Sequence, residues 1–407
     1  MNKTIFFSVG EPSGDQHAAR LIQSLKAREP ELQVRGFGGQ EMRRAGCTVD
    51  LDLTEHAVVG ILEVLPKLRE FFRFADQAEA IFAAGGVDAV VLVDFPGFNW
   101  HIAKRAKKYG IPVIYFCPPQ LWAWGAWRVK KMKATVDHVL AVLPIEEQFF
   151  SGHGIPTSFV GHPFFDAVSE STLDTVRMQT LRSAASSSQT VAVLPGSRTH
   201  EVHRNWPVML DAIAELSAAN PQARFAVAAY REKHFEFCQA TAKAAATESG
   251  EPLPIDFYLG ATSEVVEHAA CAMMVSGSVS LELMARQTPA AVIYRVGRFL
   301  YGFGKCVVKV DSMTLPNLMP EASAPGSSNE RVFPEIVSVG NPAKARDFLV
   351  ATVGRMMNDA DYLATKRRQL SGLQDRYAKP GASDRAAAKI LELLPQGSVA
   401  ELPRRAA

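Results

Sequence analysis

Short apolar runs alternate with helical segments along the first half of the chain. Most of these runs lack polar alternation, which is typical of strands buried on both faces of a parallel sheet. The predicted strands are Ile5–Val9, Gln33–Phe37, Ala89–Val93, Pro112–Phe116, Val136–Val142 and Ser158–Val160. The predicted helices between them are Gln16–Arg28, Gln40–Ala45, Val64–Ala83 and Trp100–Lys108. This order predicts a doubly wound α/β domain.

The same alternation restarts after a polar stretch. Residues 166–189 are polar, with Ser183–Ser188 almost entirely Ser and Ala, and predict an inter-domain linker. The strands predicted after it are Thr190–Leu194, Arg224–Ala229, Ile255–Leu259, Cys271–Val275 and Ala290–Tyr294. The helices predicted there are Trp206–Ala218, Val265–Ala270, Ser280–Arg286 and most of Ala343–Leu394. Two tandem α/β sheets predict a cleft at their strand carboxyl ends, where such sheets bind ligands.

Composition excludes several classes of protein. The 407 residues are 47% hydrophobic and 21% charged, the balance of a globular protein with about two domains. The net charge of +2 gives no overall field for nucleic acid, so we expect no nucleic-acid partner. Five scattered cysteines without a C-x-x-C pair argue against disulfides and a cysteine zinc site, and favour a reducing cytosol.

The chain offers no membrane-spanning segment in its sequence pattern. No run approaches the roughly 18 apolar residues of a spanning helix, and the first apolar run is too short for a signal peptide. We therefore expect any contact with a membrane to be made from its surface.

Two carboxylates follow predicted strands in the first half. Glu11 lies in the turn Gly10–Asp15, where the alternative is an ordinary turn with Ser13 or Asp15 capping the next helix. Asp94 ends the strand Ala89–Val93, where burial would raise its pKa and suit it to act as a general base. The alternative for Asp94 is a helix cap. We favour a functional role for both carboxylates.

A tryptophan-rich loop follows the strand Pro112–Phe116. It contains Trp122 and Trp124, with Trp127 close behind. Any one tryptophan is more often part of a core, but several in one loop predict a wall against a substrate.

Two small-residue turns follow strands in the second half. Gly196-Ser197-Arg198 combines backbone N–H groups with an arginine before a helix, which favours phosphate binding. Ser276-Gly277-Ser278 precedes Glu282, which is placed to bind two ribose hydroxyls. Neither turn has the G-x-G-x-x-G signature, so the alternative is a pair of unremarkable turns.

Other charged groups suggest weaker hypotheses. Asp50 and Asp52 form a D-x-D pair that can hold a divalent metal, but they alternate within a strand-like run and we expect no metal there. Two basic clusters are predicted to be solvated helix faces or, beside the apolar Val58–Phe74, a surface for anionic lipid. Their members are Lys104, Arg105, Lys107, Lys108, Arg128, Lys130, Lys131 and Lys133.

Eight motifs in order resemble the lipid-A-disaccharide synthase family, inverting glycosyltransferases (family 19) of the GT-B class. The class has an α/β fold of two Rossmann-like domains with an inter-domain cleft. The motifs are GEPSGD at Gly10–Asp15, VGILEVLP at Val59–Pro66, VDFPGFN at Val93–Asn99, PQLWAW at Pro119–Trp124, FVGHP at Phe159–Pro163, LPGSR at Leu194–Arg198, SGSVSLE at Ser276–Glu282 and LPNL at Leu315–Leu318. They span about three quarters of the chain.

The resemblance implies a reaction. UDP-2,3-diacylglucosamine donates its sugar to the 6-hydroxyl of 2,3-diacylglucosamine 1-phosphate (lipid X), giving a β-1′,6-linked disaccharide 1-phosphate of lipid A biosynthesis and UDP. Inversion requires one displacement, in which a base deprotonates the acceptor and the leaving diphosphate is stabilised. The resemblance also implies no cofactor, a metal-independent mechanism, a cytoplasmic location at the inner-membrane surface, and a possible homo-oligomer.

The resemblance assigns roles to residues at matching positions. Asp94 is implied as the base, with Glu11 as the second catalytic carboxylate. The implied donor site consists of Gly196, Ser197, Arg198, Ser276, Gly277, Ser278, Glu282 and Asn317. The implied acceptor and lipid side consists of Ser13, Asn99, Gln120, Trp122, Trp124 and His162.

The implied domains are an acceptor domain at 1–168, completed by helices at 362–407, and a UDP-sugar domain at 186–361. Two departures from the family pattern stand out: Gly97 replaces an acidic residue, and the polar loop Ala322–Glu330 is longer. The alternatives are a UDP-sugar 2-epimerase of the same fold, which needs no lipid-facing surface, and a non-catalytic nucleotide-sugar-binding protein, which binds UDP without turnover.

Overall fold

The computed structural model describes residues 3–56, 68–184, 189–297, 302, 312–319 and 331–395. The chain divides into two compact units, residues 1–166 with 380–407, and residues 167–379. Val59–Pro66 and Ala322–Glu330, singled out in the sequence, lie outside the described residues, as does most of Val58–Phe74.

The first unit is built on a seven-stranded parallel sheet. Its strands are β1 Thr4–Val9, β2 Gln33–Gly38, β3 Thr48–Asp52, β4 Ala89–Val93, β5 Val113–Phe116, β6 His138–Ala141 and β7 Thr157–Phe159. Their spatial order is β3-β2-β1-β4-β5-β6-β7. The helices are α1 Pro12–Arg28, α2 Gln40–Arg44, α3 Leu68–Ala83, α4 Pro96–Lys108, α5 Val129–Thr135, α6 Pro144–Gly152 and α7 Phe164–Glu170, the last crossing into the second unit.

The second unit repeats this plan with six parallel strands. They are β8 Thr190–Leu194, β9 Arg224–Ala229, β10 Ile255–Leu259, β11 Cys271–Val275, β12 Ala290–Val296 and β13 Glu335–Val339. Their order is β10-β9-β8-β11-β12-β13. The helices are α8 Thr175–Ala184, α9 Thr199–Ala219, α10 Glu232–Ser249, α11 Thr262–His268, α12 Val279–Ala285, α13 Pro342–Asn358 and α14 Ala360–Tyr377. A final helix, α15 Ala382–Leu393, belongs to the first unit.

Burial explains why the apolar runs form central strands. Every residue of β4, β8 and β11 is buried, so these strands are covered on both faces. Phe6 of β1 packs edge-on against Phe37 and Phe82, with ring centroids 5.2 and 5.1 Å away. In the second unit, Trp206 is fully buried and its ring lies 6.0 Å from that of Phe257.

Two boundaries differ from the sequence prediction. The polar stretch at 166–189 contains the helices α7 and α8, so it is only in part a linker. The chain returns to the first unit at Pro380 and not at 362, because α14 packs within the second unit, where Gln374 donates to the carbonyl of Ala285 over 2.7 Å. Asp166 then accepts three backbone N–H groups at the start of α15, from Gly381, Ala382 and Ser383.

Candidate active site

The strand order of the first sheet places two predicted residues at its centre. The chain proceeds outwards from β1 to β3 on one side and from β4 to β7 on the other, so β1 and β4 flank the point where the direction changes. Open α/β sheets bind ligands at the carboxyl ends of such strands. Glu11 follows β1 and Asp94 follows β4.

The backbone of Asp94 is held in a conformation that L residues seldom adopt. Asp94 and Phe95 have φ angles of 46° and 45°, in the left-handed region. The turn after β1 accommodates this loop, because a Cβ at Gly10 would lie only 2.1 Å from Cδ1 of Phe95. A Cβ at Gly14 would lie 3.9 Å from Cβ of Asp94. Gly10 of the GEPSGD motif therefore lets the two loops meet, whereas the distance at Gly14 is an ordinary van der Waals contact.

Asn99 supports this loop from beneath and does not line a site. It is fully buried, accepts a hydrogen bond from the Ser8 hydroxyl over 2.7 Å, and donates to the Asp94 carbonyl over 2.8 Å. The Tyr115 hydroxyl also donates to the Asp94 carbonyl, over 2.7 Å. Asn99 therefore fixes the position of Asp94, and its contact with the acceptor stays a prediction.

Burial perturbs the titrating groups around Asp94. It raises the pKa of Asp94 itself, against an opposing hydrogen bond from the Phe95 backbone. Burial, reinforced by the charge of Asp94, also raises the pKa of Tyr115 and of Cys117 well above their usual values, so both keep their protons. Cys117 follows β5 with a φ of 50°, a third non-glycine residue in the left-handed region at this edge. A carboxylate with raised proton affinity is suited to accept a proton.

In the rest of the GEPSGD motif, some side chains are accessible to solvent and one is buried and connects two helices. Glu11 is partly buried and precedes α1, and Ser13 is exposed. Asp15 is buried and accepts the N–H groups of Gly39 over 2.8 Å and Glu41 over 2.9 Å. The side chain of Asp15 therefore joins α1 to the start of α2, whereas the sequence offered it as a cap of its own helix.

The tryptophan-rich loop has a buried side and an exposed side. Trp122 is buried in the unit, so it is not a free substrate wall, while Gln120 and Trp124 are exposed. The Arg128 guanidinium lies 4.2 Å from the ring centroid of Trp124 and 5.5 Å from that of Trp127. These contacts are cation–π pairs at the surface.

His162 is paired with a second histidine that sequence analysis did not single out. Its Nδ1 accepts the N–H of Phe164 over 3.1 Å, and burial lowers its pKa to about 3, so it is neutral. The ring of His17 lies 6.0 Å away, and burial followed by the charge of Arg20 lowers the pKa of His17 to about 4. Spacing in the sequence gave no signal, because His17 and His162 meet only through folding.

The second sheet has an equivalent central point between β8 and β11. Gly196, Ser197 and Arg198 follow β8 and lead into α9, whereas Ser276, Gly277 and Ser278 follow β11. Ser197, Arg198, Gly277 and Ser278 are exposed. The two predicted donor turns therefore lie at the carboxyl ends of neighbouring strands.

The N-terminus of α9 already holds a carboxylate. Oε2 of Glu201 accepts the Arg198 N–H over 3.3 Å, and Oε1 pairs with the Arg198 guanidinium over 3.1 Å. Gly196 has a φ of 126°, and a Cβ there would lie 2.9 Å from Cβ of Glu201. The Arg198 N–H and guanidinium thus already hold a carboxylate at this position.

The side chains of two residues predicted to bind the UDP-sugar form hydrogen bonds within the protein. Asn317 donates to the Phe333 carbonyl over 2.8 Å and accepts the Phe333 N–H over 2.9 Å, and the Ser276 hydroxyl donates to the Met313 carbonyl. Glu335, which the sequence analysis missed, accepts the N–H of Met313 over 2.9 Å. These contacts shape the loop 312–319, so the side chains of Asn317 and Ser276 serve as loop supports here.

Glu282 is largely buried beside Arg286. Its Oε1 accepts the hydroxyl of Ser263 and lies 3.1 Å from Nε of Arg286. The Arg286 guanidinium and the Ser263 hydroxyl thus fix the position of the Glu282 carboxylate.

Side chains of the D-x-D pair and of the first basic cluster form ion pairs within the protein. Asp50 forms a two-pronged pair with Arg35, over 2.7 and 3.0 Å, and Asp52 accepts the Thr54 hydroxyl. Among the described residues, His, Cys, Asp and Glu side chains form no group of three that could hold a metal. In the first basic cluster Arg105 and Lys108 both pair with Glu79.

Comparison with known proteins identifies close relatives. The family described as lipid-A-disaccharide synthetase matches residues 5–345. A lipid-A-disaccharide synthase from Syntrophus aciditrophicus is 34% identical over 97% of this chain and 98% of its own length. The synthase from Myxococcus xanthus is 33% identical, again over 97% of this chain and 98% of its own length.

Solved structures with the same fold are more distant in sequence. A UDP-GlcNAc 2-epimerase from Neisseria meningitidis, bound to UDP-GlcNAc, has a TM-score of 0.64 at 12% identity, covering 96% of this chain and 100% of that one. Anabaena Alr3699/HepE in complex with UDP and glucose has a TM-score of 0.52 at 12% identity, covering 97% and 100%. At this identity the likeness establishes the fold alone.

Proposed function

The chain belongs to the lipid-A-disaccharide synthetase family, and we propose that it uses Asp94 as the base of that family's reaction. It is a glycosyltransferase of lipid A biosynthesis that transfers 2,3-diacylglucosamine from UDP-2,3-diacylglucosamine to 2,3-diacylglucosamine 1-phosphate. The 2-epimerase alternative is not favoured, because the epimerases share only the fold with this chain.

One observation carries the assignment of the base. Asp94 is a carboxylate with raised pKa at the central edge of the first sheet, on a backbone held by Asn99 and Tyr115. A fixed, partly desolvated carboxylate accepts the proton of an attacking hydroxyl without reorganising. Glu11 follows the neighbouring strand β1, which supports a place for it beside the acceptor.

The second unit supports the binding of the UDP group. Arg198 and the N-terminus of α9 supply positive charge to a diphosphate, and Glu282 supplies a carboxylate for the ribose. The exposed Ser197, Gly277 and Ser278 allow close approach of the phosphates, since no atom lies within 4 Å of a Cβ at Gly277. Bound diphosphate would compete with Glu201 for Arg198.

The same groups support a metal-independent mechanism. Arginine and helix N–H groups neutralise the charge that develops on the leaving diphosphate. In metal-dependent enzymes a divalent ion neutralises this charge. Asp50, the strongest candidate for a metal ligand, is engaged by Arg35.

Association with the cytoplasmic face of the inner membrane is supported by exposed aromatic and basic side chains. Trp127 is 67% exposed and Phe72 is 47% exposed, and Arg128 packs on the tryptophan rings. Aromatic rings beside cations suit the boundary of an anionic bilayer. Phe71, by contrast, packs on the core beside Phe98, with ring centroids 5.8 Å apart. No described helix has the length and apolar character needed to cross a bilayer.

The decisive experiment is an assay in EDTA with both lipid substrates, in which UDP and disaccharide are followed by mass spectrometry. We expect disaccharide and UDP in equal amounts without added metal. Activity restored only by a divalent cation would overturn the metal-independent mechanism. UDP binding without disaccharide under any condition would overturn the assignment of the reaction to this chain.

A further inference from the structure

One carboxylate holds the start of the loop 312–319 in the second unit. Glu335 is the first residue of β13, and its side chain is 3% exposed. Its Oε1 accepts the Ser312 hydroxyl over 2.7 Å and the Met313 N–H over 2.9 Å. Its Oε2 accepts the N–H of Thr314 over 3.2 Å and the hydroxyl of Thr314 over 3.0 Å. The two oxygens of Glu335 therefore fix three consecutive residues of the loop.

The charge and burial of this cluster make the contacts strong. Hydrogen bonds to an ionised carboxylate are stronger than those to a neutral acceptor. Oε1 of Glu335 also pairs with the guanidinium of Arg331. Ser312 and Thr314 are buried, so their donors would be left without these partners if the carboxylate were removed. The position of residues 312–314 therefore depends on Glu335.

The same loop reaches residues predicted to bind the UDP-sugar. The Ser276 hydroxyl, in the turn after β11, donates to the Met313 carbonyl over 2.5 Å. The helix α12, which carries Glu282, packs against Pro316–Leu318. Met313 is thus bonded to Glu335 through its N–H and to Ser276 through its carbonyl. Glu335 therefore sets where the loop lies relative to the Ser276 turn.

A second attachment joins the far part of the loop to the segment that precedes β13. The Asn317 side chain donates to the Phe333 carbonyl over 2.8 Å and accepts the Phe333 N–H over 2.9 Å. Phe333 lies two residues before Glu335. The loop is therefore anchored at two points to residues 333–335, and Glu335 supplies the charged contact.

We propose that Glu335 is a positioning residue of the donor site, which holds the loop 312–319 against the Ser276 turn. This inference rests on the proposed function, in which that turn receives the diphosphate of the donor. Glu335 acts through Met313 and Thr314 and does not itself contact the donor. Without the carboxylate, the loop lies in place in only part of the molecules, and binding of the donor must also order the loop.

The consequence is a loss of donor affinity without an equal loss of turnover. If the loop lies in place in about one tenth of the molecules, the apparent Kd for UDP rises about tenfold. A saturating donor shifts the loop back into place, so kcat should stay within about threefold of wild type. The KM for the lipid acceptor should change little, because its proposed site lies in the first unit.

The experiment compares wild type with Glu335→Gln by calorimetric titration with UDP and by steady-state kinetics in both substrates. Glutamine keeps the size of the side chain, but its NH₂ group cannot accept the Thr314 N–H and no charge faces Arg331. We expect the Kd for UDP and the KM for the donor to rise about tenfold. Glu215→Gln is the matched control, because Glu215 pairs with Arg346 on the surface of the same unit, and it should bind UDP as wild type does.

Hydrogen exchange tests the position of the loop in the wild-type protein. UDP should slow the exchange of amides in 312–319, and Glu335→Gln without UDP should speed the exchange of Met313 and Thr314. UDP binding that leaves exchange in 312–319 unchanged would overturn this proposal and leave the proposed function standing. A wild-type protein that binds no UDP would overturn the proposed function, and this inference with it.

A second variant keeps the proposal falsifiable if Glu335→Gln does not fold. Thr314→Val removes one hydrogen bond to Glu335 and retains the carboxylate, so UDP binding should weaken by roughly two- to threefold. Wild-type UDP affinity in whichever of the two variants folds would overturn the proposal. A Glu335→Gln protein with a lowered Tm and a reduced kcat but a wild-type Kd for UDP would also overturn it, because Glu335 would then only support the fold.

Discussion

The carboxyl edges of the two sheets share a topology and differ in chemistry. Both sheets are parallel, and in each the strand order reverses direction at the centre. The reversal lies between β1 and β4 in the first sheet and between β8 and β11 in the second. The first edge is strained and partly desolvated, with Asp94 and Cys117 in the left-handed region and the pKa of Asp94 raised by burial. The second edge exposes Arg198 and small residues to solvent.

With the proposed roles of Asp94 and Arg198, this difference separates proton transfer from anion binding within one fold. A base gains from desolvation, which raises its proton affinity, whereas a phosphate site gains from accessible N–H groups and a cation that stays charged. The duplicated α/β plan supplies the position in both cases, and the residues at the strand ends supply the chemistry. Substitutions at each edge therefore test whether the two tasks are separate.

The largest effect is expected at Asp94. Asp94→Asn keeps the size of the side chain and removes the base, so kcat should fall by about 10²- to 10⁴-fold. The affinity for UDP, measured by calorimetry, should stay within about twofold, because the base does not hold the nucleotide. Asp50→Asn is the control, since Asp50 pairs with Arg35 on the edge strand. Equal loss of turnover and UDP affinity in Asp94→Asn would erase the contrast between the edges.

The next effect is expected at Arg198. Arg198→Ala should weaken UDP binding by about 1.5–3 kcal/mol, the range for a hydrogen bond to a charged group. Arg346→Ala is the control, because Arg346 forms surface pairs with Glu215 and Asp347 in the same unit. The measurement is a calorimetric titration with UDP. An Arg198→Ala protein with wild-type affinity would remove the phosphate assignment.

A structural effect of about 1–3 kcal/mol is expected at Asn99. Asn99→Ala leaves the Ser8 hydroxyl and the Asp94 carbonyl without this partner, so stability in urea and kcat should fall while UDP affinity is unchanged. Asn99→Asp is the companion variant, which keeps an acceptor for Ser8 but loses the donation to Asp94. Loss of stability with full kcat would show that the Asp94 loop does not need this support.

The smallest effect is expected at the exposed aromatic side chains. Phe72→Ala and Trp127→Ala should reduce binding to anionic vesicles by about 1–2 kcal/mol, with the free energy of unfolding within about 0.5 kcal/mol of wild type. Phe71→Ala should instead destabilise the fold, because Phe71 packs on the core. Vesicle sedimentation and urea unfolding measure the two quantities. Unchanged vesicle binding in the double variant would remove this surface as the membrane contact.

The sequence determined most of the strands and the central site loops. β4, β8, β9, β10 and β11 have the bounds predicted for them. For β4, β8 and β11 the reason is that an apolar run buried at every residue fits the centre of a parallel sheet covered on both faces. The strand β13 and the helices α5 and α6 were not predicted. The eight motifs identified the family, which the comparison with known synthases confirms.

What only the tertiary structure decided is which polar residues face outward and which support others. Asp94 and Asn99 are five residues apart in one motif, yet Asp94 stays partly exposed while Asn99 is enclosed against Ser8. The Tyr115 hydroxyl reaches the Asp94 carbonyl because β4 and β5 lie side by side, a relation that no local pattern contains. The pattern of apolar residues along the sequence predicts which residues are buried. The hydrogen-bond partners and the desolvation of a polar group depend instead on strands that folding brings together.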